Sequence, residues 1–125
     1  MGGSIRFLNG KVHSIDILAD HWEASEIITL FGKPDSFVSK EVIIESPHRY
    51  INLFYTKGIV VSIYPDSYNE VSSNSIVSEK SEVGGITFVQ AYSDYSTLGD
   101  ITAGLFASDF HPWTGYGELE TITSN

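Results

Sequence analysis

The sequence predicts an α+β fold, in which a mainly antiparallel sheet of five or six strands carries one principal helix on one face. Three observations predict this fold. A hairpin signal precedes one amphipathic helical pattern, three β-rich runs follow that pattern, and one more strand precedes a short and weaker helical segment. Strands joined by short turns favour antiparallel pairing, and one helix covers one face of such a sheet. A chain of 125 residues has the size of one domain.

The first four residues, Met1 to Ser4, are interpreted as an expression start followed by a flexible remnant, so the single domain is expected over residues 5–125. Myristoylation is excluded because Arg6 stands where serine or threonine is required.

A β-hairpin is predicted where Asn9-Gly10 separates two alternating runs, because both residues tolerate positive φ. A two-residue loop would place the apolar residues of the two runs on opposite faces. A three-residue loop that starts at Leu8, with Gly10 in a bulge, gathers them on one face. We therefore expect the bulged loop, with these residues together: Ile5, Phe7, Ile15 and Ile17.

A helix of about three turns is predicted from roughly His21 to Phe31. Asp20 and Glu23 have the spacing of a capping box, with aspartate in place of serine or threonine. One helical stripe follows the cap and consists of Ala24, Ile27, Ile28 and Phe31.

The helix is expected to end within “LFGKPD”, Leu30 to Asp35. Gly32 is expected in a left-handed conformation, Lys33 near the free carbonyl groups, and Pro34 as the stop. A phosphate-binding loop would need its glycine before a helix, where free N–H groups and the positive dipole end point at the anion. Here the glycine follows the helix, so this motif predicts a helix end and no binding site.

Three β-rich runs follow, “SFVSKEVIIES”, “HRYINLFYT” and “GIVVSIYP”, separated by Pro47-His48 and by Lys57-Gly58. A three-residue loop ending at Gly58 gathers the apolar residues of the last two runs on one face. These residues are Ile51, Leu53, Tyr55, Ile59, Val61 and Ile63. The opposite face is aromatic and contains Tyr50, Phe54 and Tyr64.

The rest of the chain is less regular. Residues 66–85 are polar and serine-rich, which predicts a long mobile loop. “ITFVQAY” predicts a strand, and “YSTLGDITAGLF” predicts a weak helix interrupted by Gly99 and Gly104. The tail “SDFHPWTGYGEL” is expected to be irregular.

Charge and composition exclude several functions. Sixteen acidic and seven basic residues give a net charge of −9, which disfavours nucleic acid and anionic membranes as partners. The chain has no cysteine, so disulfides, thiolate catalysis and cysteine-ligated zinc are excluded. No apolar run approaches the roughly 20 residues of a membrane span.

No catalytic, metal or cofactor site is predicted. The four histidines, His13, His21, His48 and His111, lack the close spacing that places two ligands on one face. Serine is abundant without a G-x-S-x-G motif, and the carboxylates at Asp94, Asp100 and Asp109 are typical of a solvated acidic surface. “DSYNE” lacks the spacing and central glycine of a calcium-binding EF-hand loop.

Two groups of aromatic residues are candidate binding surfaces. The first is Trp113 and Tyr116 in “HPWTGYG”, since large rigid rings near glycines are typical binding anchors when they are exposed. The alternative is that these two rings fold back and plug the open end of the sheet. The second group is the outer sheet face with Tyr50, Phe54 and Tyr64.

The helix ending in “LFGKPD”, the strand with “YINLFY”, the “KG” turn and “IVVSIYP” together resemble small α+β modules of exported bacterial lipoproteins. These are the SmpA/OmlA and beta-lactamase-inhibitor-like group, together with uncharacterised lipoproteins. The resemblance covers Ile15 to Pro65 and depends mainly on Gly32, Pro34 and Asp35. It implies an exported or membrane-anchored scaffold for protein contacts and carries no catalytic residue.

The sequence therefore predicts a non-catalytic, extracytoplasmic protein-interaction module with a basic protein partner, and a homodimer would cover the aromatic sheet face. The alternative is a small-ligand binding protein or an enzyme with a cystatin-like pocket lined by His13, His48 or His111.

Overall fold

The computed structural model describes residues 3–19, 21–92 and 94–124. Within these ranges the chain forms one α-helix, α1 (Ala24–Phe31), and two 3-10 segments, Tyr95–Thr102 and Ala107–Asp109. The strands are β1 (Gly3–Leu8), β2 (Lys11–Leu18), β3 (Ser36–Ile44), β4 (Ser46–Tyr55), β5 (Ile59–Ile63), β6 (Ser67–Tyr68), β7 (Ser75–Val77), β8 (Val83–Val89), β9 (His111–Pro112), β10 (Gly117–Leu119) and β11 (Thr121–Ser124).

The main sheet has eight strands in the described residues. Its order is β1-β2-β8-β5-β4-β3-β11, and β9 also pairs with β3. The pairings are antiparallel except that of β11 with β3, which is parallel. The α+β class and the largely antiparallel sheet are confirmed. The expected size of five or six strands is too small, because the tail that was expected to be irregular adds β9, and the residues after it add β11.

The hairpin β1–β2 forms at the expected place with a different loop. Asn9 and Gly10, both with positive φ, make a two-residue loop, so the expected three-residue loop is wrong. One extra residue in β2, His13, shifts the register so that Ile5 pairs with Ile15. A bulge inside the strand thus brings these two apolar side chains to one face.

Helix α1 begins at Ala24 and is shorter than expected. The Glu26 carboxylate accepts a hydrogen bond from the Glu23 backbone N–H at 3.0 Å, so the residue that caps the helix is Glu23. Asp20, the expected cap, lies outside the described residues.

The helix ends at Gly32, as expected, and its N–H donates to the Ile28 carbonyl at 2.9 Å. Gly32 has φ 85° and ψ −171°, a glycine conformation that differs from the expected left-handed helical one. The cation that contacts this end is Lys57, whose Nζ donates to the Phe31 carbonyl at 2.6 Å. Lys57, from the turn between β4 and β5, therefore bonds to the free carbonyl groups at the helix C-terminus, the position at which Lys33 was expected.

The turn between β3 and β4 lies at Glu45 and not at Pro47-His48, because β3 and β4 pair as far as Ile44 and Ser46. Pro47 lies inside β4 where that strand pairs only with β3, so a residue without an N–H is tolerated there.

The turn between β4 and β5 matches the prediction. Residues 56–58 form the three-residue loop, and Tyr55 pairs with Ile59. The apolar residues of both strands consequently share the face that α1 covers, which we call the inner face.

Gly58→Ala is expected to lower the free energy of unfolding by about 2–4 kcal/mol. This loss combines the backbone strain of a non-glycine residue at positive φ with a steric clash. Gly58 has φ 115°, and a Cβ there would lie 2.4 Å from the Val89 carbonyl oxygen. Gly115→Ala is the matched control, because Gly115 has φ 117° and no atom within 4 Å of the added Cβ. Urea denaturation measures both variants, and equal losses would contradict a clash at Gly58.

The inner face carries the larger apolar core. Ala24 and Ile27 of α1 are completely buried against it. The buried sheet residues of this core include Ile51, Leu53, Tyr55, Val61 and Ile63.

The opposite face, which we call the outer face, carries a second core. It is covered by the segment 92–110, which includes the first 3-10 segment and bends at Gly99, with φ 59° and ψ −118°. A weak helix interrupted by Gly99 and Gly104 was expected here. The structure has 3-10 helix at this place, and the interruption at Gly99 is confirmed by its non-helical backbone angles. Beneath it lies Phe54, which is 0% exposed and contacts the rings of Tyr95 and Phe110.

Residues 66–85 were expected to be a mobile loop, and this is wrong. Strands β6, β7 and β10 form a separate three-stranded sheet, and Gly84 and Gly85 belong to β8. Val77 and Ser75 are buried, so the segment has an apolar anchor. Its serines and asparagines bond to nearby backbone groups, as Asn69 does to the N–H of Val71 at 2.8 Å.

Candidate functional site

The outer face contains an open groove of about 720 Å³ beside the segment 92–110. Strands β2, β8, β5 and β4 form its floor, and Ile101 forms part of its wall. The groove exists because β8 contributes Gly84 and Gly85 and β5 contributes Ser62, so little side-chain volume fills this part of the face. The aromatic and polar side chains that line it include Tyr50, Asn52, Tyr64, Asp16 and Thr87.

Tyr50 of β4 and Tyr64, which directly follows β5, both line this groove. They are brought together because Ile51 pairs with Ile63. Tyr64 is 48% exposed, and its ring packs on Gly84, where a Cβ would lie 2.9 Å from the ring. Tyr50 is half-buried, and burial raises the pKa of its phenol above the ordinary value. Its hydroxyl is therefore neutral at neutral pH and can donate a hydrogen bond.

Asp16 supplies a fixed carboxylate at one side of the groove. One of its oxygens accepts a hydrogen bond from Thr87 Oγ1 at 2.6 Å, and the other accepts one from Ser4 Oγ at 3.1 Å. Arg6 Nε lies 3.9 Å from the second oxygen. Ser4, expected to belong to a flexible remnant, is thus part of β1 and helps to position this carboxylate.

Phe54 does not belong to the accessible surface, contrary to the sequence-based expectation that placed it beside Tyr50 and Tyr64. All three residues do share the outer face, but the rings of Tyr95 and Phe110 cover Phe54 completely. Its role is to hold the covering segment on the sheet.

Trp113 and Tyr116 lie away from the groove and on the inner-face side of the sheet. Trp113 is half-buried, and its ring meets Phe37 at a centroid distance of 6.1 Å and Tyr116 at 5.8 Å. Tyr116 is 38% exposed, and burial together with Glu79 raises its pKa. Trp113 therefore packs on the core as the folded-back alternative requires, while Tyr116 keeps an accessible edge.

The histidines do not converge on the groove. His13 lies at a second, smaller cavity of about 420 Å³ near Asp94, and His111 Nε2 lies 3.6 Å from a Glu120 carboxylate oxygen. In the part of the chain that the structure describes, no three histidine or acidic side chains are grouped closely enough to hold a metal ion. Over the same residues, no helix has the length and apolar character needed to cross a bilayer.

Three groove residues were missed by sequence reasoning, namely Asp16, Gly84 and Thr87. Asp16 and Thr87 are opposite each other only because β2 pairs with β8, which lies far along the chain. The alternation of β4 places Asn52 on the face of Tyr50, as expected from the sequence, although Asn52 was not named as a binding residue. Comparisons of the chain with known protein families, with curated proteins and with solved structures found no match.

Proposed function

We propose that this chain is a non-catalytic protein-interaction module, and that its outer-face groove holds an extended, basic segment of a partner protein. The observation that carries the proposal is the placement of Tyr50 and Tyr64. Tyr64 is 48% exposed, Tyr50 is half-buried, and both line one groove on a face whose third candidate aromatic residue, Phe54, is covered.

The chemistry of the groove suits arginine or lysine side chains. A tyrosine ring attracts a cation held over its face, and its hydroxyl can bond to the backbone of the same segment. Asp16 adds a carboxylate at the groove, and the net charge of −9 attracts a basic partner over longer distances. The open side of the groove admits an extended chain.

The test is a titration with a labelled arginine–glycine repeat peptide, followed by fluorescence anisotropy and by NMR of the labelled protein. We expect amide resonances of β4, β5 and β8 to shift. The double variant Tyr50→Ala/Tyr64→Ala should weaken binding by about tenfold, since each of the two cation–π contacts contributes at least ~0.5–1 kcal/mol.

Two controls accompany this titration. Tyr116→Ala removes a comparably exposed tyrosine outside the groove and should leave the affinity unchanged. A glutamate–glycine repeat peptide should not bind, because it would meet a chain of the same charge. Unchanged affinity of the double variant, or equal binding of both peptides, would overturn the proposal.

A second candidate is a small-ligand binding protein that uses the same groove. It is favoured by the volume, because about 720 Å³ lies within the range of roughly 300–1,000 Å³ for ligand pockets. None of the three histidines named for the cystatin-like alternative lines this groove. An NMR screen with small polar ligands that stack on aromatic rings distinguishes the two candidates. Amide shifts at the groove with these ligands, and none with the arginine–glycine peptide, would favour the small-ligand binding protein.

An extracytoplasmic location, exported or membrane-anchored, is part of the proposal and is supported by the lipoprotein-like succession from Ile15 to Pro65. Fractionation of cells of the source organism with an antibody against this chain tests the location. Recovery only with cytoplasmic markers would contradict it.

A further inference from the structure

Strand β1 is an exposed edge of the main sheet. All of its residues are exposed, including Ile5 at 55% and Phe7 at 66%. Edge strands are usually protected by proline, by lysine or by a covering element, because their free N–H and C=O groups can pair with another strand. Between Gly3 and Leu8 the sequence contains neither proline nor lysine. This edge is therefore competent for strand addition.

We infer that β1 pairs with β1 of a second copy of this chain, antiparallel and around a two-fold axis at Ile5, to form a homodimer with one continuous sheet. The inference goes beyond the proposed function, since the pairing uses the edge of the sheet. Gly3, Ser4 and Asp16 also line the groove, so the dimer is tested in the absence of any peptide.

The side chains of β1 complement their own copy in this register. Ile5 faces the partner subunit's Ile5 across the axis, and Phe7 faces the partner subunit's Gly3. Opposed residues in an antiparallel pair lie on the same face, so the two isoleucines touch and each phenylalanine ring covers a position without a side chain. On the monomer, Ile5 already pairs with Ile15 of β2, so the apolar contact extends across the dimer axis.

The charges favour the same register. Pairing at Ile5 places Arg6 opposite the partner subunit's Ser4, the residue whose Oγ bonds to Asp16 at 3.1 Å. Each carboxylate of Asp16 would then have a second arginine nearby, and charges of opposite sign would alternate around the axis. Shifting the axis to Arg6 would oppose two arginines directly, which destabilises a strand pair. Charge therefore favours an axis at Ile5 over one at Arg6, and the contact between the two isoleucines adds to that preference.

The chain has no cysteine, so single cysteines test this register cleanly. At the axis, opposed Cα atoms lie about 4.5–5.5 Å apart, within the ~4.4–6.8 Å that a disulfide spans. Under mild oxidation, Ile5→Cys should form a covalent dimer. Phe7→Cys is the matched control, because Phe7 is at least as exposed but its two copies would be displaced by about four residues, or ~13 Å.

Sedimentation analysis gives a second measurement without oxidation. The unaltered chain should dimerise with increasing concentration, and Ile5→Lys should raise the dimer dissociation constant by about tenfold or more, because two like charges meet at the axis. Val71→Lys is the control, since Val71 is 97% exposed and remote from β1 in the sequence. Circular dichroism confirms that each variant is folded.

Dimers linked efficiently through Ile5→Cys and not through Phe7→Cys are the expected result. The inference is overturned if both cysteines cross-link equally, if only Phe7→Cys does, or if neither does. It is also overturned if Ile5→Lys and Val71→Lys have the same dissociation constant as the unaltered chain.

Discussion

Replacing Phe54 with alanine is expected to lower the free energy of unfolding by about 3–5 kcal/mol, the range for removing a completely buried phenylalanine side chain. Phe54 is 0% exposed and lies between the sheet and two rings of the covering segment, with centroid distances of 5.4 Å to Tyr95 and 5.1 Å to Phe110. The alanine variant would leave a cavity where three aromatic rings now meet. Urea denaturation measures this loss.

The position of Phe54 predicts more than a loss of global stability. Because its ring packs against Tyr95 and Phe110 of the segment 92–110, hydrogen exchange should accelerate in that segment before it does in α1. Phe54→Leu is the conservative control and should cost less than ~1.5 kcal/mol, since the volume is largely kept. Tyr64→Ala, at an exposed position of the same face, should cost less still. A loss below about 1 kcal/mol for Phe54→Ala would contradict the burial that the structure shows.

Arg49→Met is expected to destabilise the protein by about 3–5 kcal/mol, because it would leave the charge of Glu41 buried without its partner. Arg49 Nη2 lies 2.7 Å from a Glu41 carboxylate oxygen, and these side chains are only 12% and 13% exposed. The guanidinium also donates to the Ser73 carbonyl at 2.7 Å and lies over the ring of Tyr68 at 4.2 Å. Arg49 thus joins β4 of the main sheet to the segment between β6 and β7.

A double variant separates the charge from the packing. Arg49→Met/Glu41→Leu removes both charges, and a buried ion pair replaced by apolar residues of similar size is often neutral in stability. The double variant should therefore be more stable than Arg49→Met alone. A double-variant cost equal to the sum of the two single costs would contradict a buried pair. Hydrogen exchange at Ser75 to Val77 should accelerate in both variants, because both lose the bond to Ser73.

Local sequence patterns predicted the hairpin between β4 and β5 in full and the other two only in part. The three-residue loop ending at Gly58 was predicted because only that length places Ile51, Leu53 and Tyr55 on the face of Ile59 and Val61. The same argument failed at Asn9-Gly10, since an extra residue inside β2 changed the register in a way that the loop length does not reveal. The position of a bulge depends on the pairing with the partner strand, so the residues of the turn do not predict it.

The segment 66–85 shows a different limit. Its polar sequence was interpreted as loop, yet Ser73 and Ser75 are held by Arg49 and Val77 is buried. The polar side chains are used within the fold, where they satisfy backbone groups that would otherwise need water. Composition alone does not distinguish a serine that bonds to the protein from one that bonds to solvent.

For the candidate groove, too, the sequence pattern predicted one property and the tertiary structure decided another. Alternation along β4 and β5 determined that Tyr50, Phe54 and Tyr64 share one face, because side chains in a strand alternate with a period of two. The tertiary structure alone decided which of them a partner can reach, because the segment 92–110 folds over Phe54 and stops short of the two tyrosines.

The sequence by itself determined the α+β class, the helix end at Gly32 and the hairpin between β4 and β5, all of which depend on residues close together in the chain. Only the tertiary structure decided the pairing of β2 with β8 and of β3 with β9 and β11, and therefore the groove and the exposed β1 edge. The physical reason is that a strand's own pattern specifies a buried face but not which distant strand supplies its hydrogen bonds. That choice depends on how the whole chain closes its two cores.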